Sequence, residues 1–103
     1  MNWPATVDVL GCVAAERRRQ NEKWGVQHHP DGTNEANKVL ADQAREICEQ
    51  EAARGRCTWR LILGEEFFEA MAETDPEKLR KELVHVAAVA VSWIEDIDSR
   101  EAS

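Results

Sequence analysis

The stretch LGEEFFEAMAETDPEKLRKELVH, residues 63–85, restricts the fold more than any other part of the chain. Asp75-Pro76-Glu77 within it is a helix start: the aspartate accepts from free backbone N–H groups, proline suits the first helical position, and glutamate is favourable at the positive end of the helix dipole. Helix-forming runs lie on both sides, so the short connection over residues 73–76 predicts two helices folded back antiparallel. Three residues at about 100° each carry a helix most of the way round a turn. Glu66 and Glu69 therefore share one face of the first helix, and Glu82 and His85 repeat the spacing on the second. Four oxygen and nitrogen donors would then face one gap.

The remaining segments are helical as well. A first helix is expected over residues 4–23, with Pro4 near its start, Thr6 as its cap, Val7, Leu10, Val13 and Ala14 inward, and Trp24-Gly25 as its stop. Residues 25–32 carry proline, an Asp-Gly pair and the histidines His28 and His29, which is loop chemistry. Thr33 or Asn34 caps a second helix to Arg54 that turns Val39, Leu40, Ala44, Ile47 and Cys48 inward, and Gly55 is its left-handed terminator. Thr58 caps a third helix over residues 59–73, and the fourth runs over 76–98. No strand-like alternation appears. The expected class is all-α, a four-helix bundle-like arrangement in one domain over residues 1–103.

On the fourth helix Leu79, Leu83, Val86, Ala90, Trp93, Ile94 and Ile97 form an inward stripe, while Val84, Ala88 and Val91 fall on a different side. A helix apolar nearly all round has to be covered on several sides. The sequence therefore predicts completion of the fold by oligomerisation, as a homodimer or homotetramer packed through this helix.

Composition bounds the partners. With 20 acidic against 13 basic residues and a net charge of -7, the chain is a poor match for a nucleic acid polymer or an anionic membrane surface, and suits local collection of divalent cations. It has no apolar run of about 18 residues and no signal-like N-terminus, which gives a cytoplasmic expectation. Cys12, Cys48 and Cys57 lack CxxC spacing and read as reduced thiols, two of them packed in helices.

The spacing of Glu66, Glu69 and Glu82 resembles the ExxE-(12 to 28)-ExxD signature of the all-α nucleoside triphosphate pyrophosphohydrolases, the MazG-like superfamily that includes dimeric dUTPases and dCTPases. The sequence departs from that signature at His85, where the family has aspartate. Related sequences also carry a segment similar to RQNEKWG, residues 19–25. The resemblance implies a MazG-type fold and a magnesium-dependent enzyme that cleaves a nucleoside triphosphate between its α and β phosphates, giving the monophosphate and pyrophosphate. Glu66, Glu69, Glu82 and His85 would hold the metal, and Glu65 and Glu66 would carry catalysis, Glu65 as a ligand or as the base that orients water. Histidine is a poorer magnesium ligand than carboxylate, so His85 weakens one site, favours manganese or shifts the fourth contact elsewhere. Asp96 shares its helical angle but lies three turns away.

Arg19, Lys23 and Trp24 are candidates for phosphate and base contact, as are Trp59 and Arg60. Each feature has a plainer reading: a solvated acidic face for the glutamates, a surface or interface histidine, a charged helix end, and tryptophans sealing the core. The competing function is a non-catalytic nucleotide-binding or interaction module in which His85 marks a degraded metal site.

Overall fold

The computed structural model describes residues 3–102. They form α1 (Trp3–Trp24), a 3-10 turn (Glu35–Asn37), α2 (Lys38–Ala53), α3 (Trp59–Ala72) and α4 (Pro76–Ala102), with no strand among them. The all-α class is as expected. Two compact units divide the chain: Gly32–Ala90, and the segments before and after it.

In the flanking unit, α1 ends where expected, at Gly25, whose φ of 69° and N–H bond to the Asn21 carbonyl at 2.8 Å close the last turn. The cap and the buried face differ from expectation. Thr6 lies inside the helix and donates its hydroxyl to both carboxylate oxygens of Glu95 at 3.0 Å, so it joins α1 to the end of α4 and does not cap. The buried side chain of α1 is Val9, whereas Val7, Leu10, Val13 and Ala14 are exposed. Helical spacing identifies a face but not the partner it meets, and here the buried side runs through Thr6 and Val9.

The Gly32–Ala90 unit holds the predicted carboxylates. Asn34 caps the 3-10 turn by accepting from the Ala36 N–H at 2.8 Å. Its own N–H and the Asn37 side-chain amide both donate to the Met71 carbonyl, at 3.0 and 3.1 Å. Those bonds satisfy one of the carbonyls that the end of α3 leaves without a helical partner. Helices α2 and α3 pack through small side chains, Ala41 at 3 % exposure and Ala70 at 0 %. Cys48 joins them, but Val39, Leu40 and Ile47 do not; α2 buries Ala41 and Cys48, with Ala44 half-buried between them. An alanine seam lets two helices approach closely, which leaves the longer side chains on either flank outside.

Helix α2 stops in a turn organised by Glu51. Its carboxylate pairs with Arg54 at 3.2 Å and Arg56 at 3.0 Å, its carbonyl accepts from the Arg56 N–H at 2.8 Å, and Gly55 takes the left-handed φ of 69°. Thr58 caps α3 by accepting from the Leu61 N–H at 3.3 Å. Only residues 73–75 link α3 to α4, and Asp75 caps α4 through the Lys78 N–H at 3.1 Å. Along α4, Leu79 and Val91 are buried, but Leu83, Ile94 and Ile97 of the expected inward stripe are exposed, and so is Val84 at 53 %. Helix α4 also runs past residue 98, to Ala102.

Candidate metal centre

Glu66 and Glu69 stand near the middle of α3, and Glu82 and His85 near the start of α4. Across the helix pair, Glu66, Glu82 and His85 each offer one ligand atom, all within 4.8 Å of one another. His85 Nδ1 lies 3.7 Å from Glu66 Oε2 and 3.5 Å from Glu82 Oε2. Neighbouring ligands around a small divalent cation bonded at about 2.1 Å sit about 3 Å apart, so a modest contraction of this triangle would bring all three donors onto one ion.

The two inward oxygens fit that use. Glu66 Oε2 and Glu82 Oε2 are buried and have no hydrogen-bond partner, although the side chains that carry them keep about a quarter of their surface in contact with solvent. A buried carboxylate oxygen without a donor is costly. A cation or a protonated imidazole relieves that cost. The donor set of two carboxylates and one imidazole suits manganese and zinc better than magnesium, which prefers oxygen throughout.

Glu69 and Glu65 stand outside this triangle. The Glu69 carboxylate lies 3.9 Å from Arg45 Nε of α2, and Arg45 also bonds Asp42 at 2.9 Å. Glu65 faces the Cys48 thiol. Glu69 nevertheless senses the cluster: burial pushes its carboxyl upward, Glu66, Glu65 and Glu82 add to the rise, and Arg45 opposes it. The Glu66 carboxyl is likewise raised by burial, against the effect of His85 and with that of Glu82 and Glu65.

One member of the triangle, Glu82, also lines a cleft of about 560 Å³ within the same unit, with Glu69 and the 73–74 link beside it and Lys38, Asp42 and Arg45 contributed by α2. Lys38, Ala41, Asp42 and Arg45 follow the three-four spacing that puts them on one face of α2. Sequence reasoning missed Lys38 and Arg45, because charged residues along α2 read as a solvated outer face. The available signal was a pair of cations seven residues apart on the helix preceding the acidic one.

The other predicted contacts lie elsewhere. Trp59 is half-buried and Arg60 exposed, and neither lines the cleft. Arg19 pairs with Glu16, and Lys23 Nζ lies 4.9 Å above the ring of Trp24, itself 55 % exposed. These three belong to the flanking unit, whose own cleft of about 370 Å³ is lined by Arg17, Gln20 and the loop with His29.

No protein-family model matches the chain, no curated protein matches it, and no solved structure matches its fold.

The raised carboxyls make a pH prediction. A folded carboxyl with a raised pKa binds its proton more readily than the unfolded one, so its contribution to stability is full below the ordinary carboxylate value and is lost as pH climbs through the raised value. Chelator-treated protein should therefore melt at lower temperature as pH rises from about 4 towards 7, with a flatter profile in Glu66→Gln. Thermal denaturation across that range checks it. A wild-type profile no steeper than that of Glu66→Gln would contradict the burial of charge at this position.

Proposed function

We propose that the chain is a divalent-cation-dependent nucleoside triphosphate pyrophosphohydrolase of MazG-like type, with Glu66, Glu82 and His85 holding the cation. The observation that carries this reading is the pair of buried, donor-less carboxylate oxygens turned to one imidazole at the edge of a cleft with two cationic side chains. A bound magnesium or manganese ion would supply acidification of water and neutralisation of charge on the phosphoryl oxygens. Lys38 and Arg45 would bind the polyphosphate from the opposite wall, Arg45 as a fork and Lys38 as a point charge. Glu69, whose carboxyl holds a proton more readily than usual, would take one up beside them.

Assembly belongs to the same proposal. Phe67, Leu83 and Val84 expose large apolar surfaces on α3 and α4, and a second copy would cover them. No helix among the described residues is long and apolar enough to cross a membrane.

Incubation with manganese or magnesium and a panel of ribo- and deoxynucleoside triphosphates should release pyrophosphate and the nucleoside monophosphate in equal amounts. Release of orthophosphate and diphosphate, or of nothing, overturns the reading. A second reading, cation-dependent nucleotide binding without turnover, is favoured by one observation: Glu69 faces Arg45, which leaves three donors at the triangle instead of four. Calorimetric titration with a non-hydrolysable triphosphate, set beside the turnover assay, separates the two, since the module binds and releases no product.

A further inference from the structure

We propose that Cys48 and Cys57 form a two-electron redox modification site at the turn between α2 and α3, closed to an intramolecular disulfide by a peroxide. Their sulfurs lie 3.8 Å apart, a separation that a small side-chain rotation closes to bonding distance. Nothing in the sequence spacing indicated a pair. The turn creates it, because the Glu51 bonds to Arg54 and Arg56 and the left-handed Gly55 bring the chain back over the end of α2, and the Thr58 cap fixes the residue after Cys57. The site stands whether or not a cation binds at Glu66, Glu82 and His85.

The two thiols differ in access, and that difference orders the chemistry. Cys57 is exposed and Cys48 is buried, so the peroxide meets Cys57 first. The Cys57 sulfur bonds to one peroxide oxygen, the O–O bond breaks, and the other oxygen leaves as water, having taken up the thiol proton. Sulfur is oxidised to the sulfenic acid and peroxide is reduced. The Cys48 sulfur then attacks the Cys57 sulfur: the S–S bond forms, the S–O bond breaks, and the departing hydroxide leaves as water with the Cys48 proton. Burial, then the neighbouring Cys57 and Glu65, pushes the Cys48 pKa up to about 12 and keeps it a thiol, which leaves the first encounter with peroxide to the exposed Cys57. Without that second step, Cys57 would continue towards sulfinic acid.

The test treats the full chain with stoichiometric hydrogen peroxide, followed by thiol counting and peptide mapping with and without reductant. Cys12, exposed on α1, is removed in a Cys12→Ser background so that only the pair is counted. Trypsin cuts after Arg54 and Arg56, so the link appears as two peptides joined only in the absence of reductant. Both thiols of Cys12→Ser should disappear together and return with dithiothreitol, and Cys57→Ser should lose Cys48 at least roughly tenfold more slowly. Cys57 is exposed, so its replacement by serine leaves the core intact. Loss of Cys57 alone to sulfinic acid, a link between two chains, or equal loss of Cys48 with and without Cys57 would each overturn the proposal.

Discussion

Replacing Glu82 by alanine should abolish the rise in melting temperature that manganese gives the native protein and lower pyrophosphate release by roughly a hundredfold or more. Glu82 is the donor closest to His85, at 3.5 Å, and its loss leaves Glu66 and one imidazole, too few protein ligands to compete with water. A cation present at about a hundred times its dissociation constant stabilises the folded state by about 2.7 kcal/mol, a shift of several degrees in a domain of this size. The cation-free variant should be no less stable than the parent, because Glu82 is one of the charges that raise the Glu66 carboxyl. That control separates a lost site from a lost fold. A manganese-dependent shift that survives in Glu82→Ala would place the cation elsewhere and remove the basis for the enzyme reading.

The double replacement of Lys38 and Arg45 by alanine should raise KM for the triphosphate by about a hundredfold while kcat changes by only a few fold. Each charge-assisted hydrogen bond to phosphate contributes about 1.5 to 3 kcal/mol, and about 1.4 kcal/mol is a factor of ten in binding. Both side chains reach the cleft from α2, opposite Glu82, so they would act on the anionic substrate and not on the triangle itself. Manganese affinity should hold or rise, since removal of Arg45 frees Glu69 from the charge beside it at 3.9 Å. An unchanged KM would show that the polyphosphate lies away from this cleft.

What could be read in the sequence was mostly punctuation. Gly25, Gly55, Thr58 and Asp75 all act at or within a residue of the expected boundaries, because caps and left-handed turns depend on local backbone chemistry, whereas Asn34 caps a 3-10 turn and α2 begins only at Lys38. Faces were less legible. Val7, Leu10 and Val13 have good helical spacing and remain exposed, and Val39, Leu40 and Ile47 lie outside an alanine seam. Burial depends on which helix arrives opposite, and spacing along one helix does not encode that. The same limit applies at the site: Glu66, Glu82 and His85 converge as the two-helix argument requires, whereas Arg45 and Cys48 of α2 lie beside Glu69 and Glu65. A wheel drawn for α3 alone shows three glutamates, Glu65, Glu66 and Glu69, and only the neighbouring α2 and α4 give them different surroundings.

The short link of residues 73–75 works as a ruler. Glu66 lies six residues before the end of α3 and Glu82 six residues after the start of α4, so both carboxylates stand about 9 Å from the bend, at the same height. One residue added between Glu66 and Ala72 would swing the first carboxylate by about 100° and slide it by about 1.5 Å, out of reach of the imidazole. The same residue added beside Thr74, outside both helices, would leave the two heights matched. Chains built on this plan are therefore free to vary at the bend and constrained to keep the helical spans on its two sides matched.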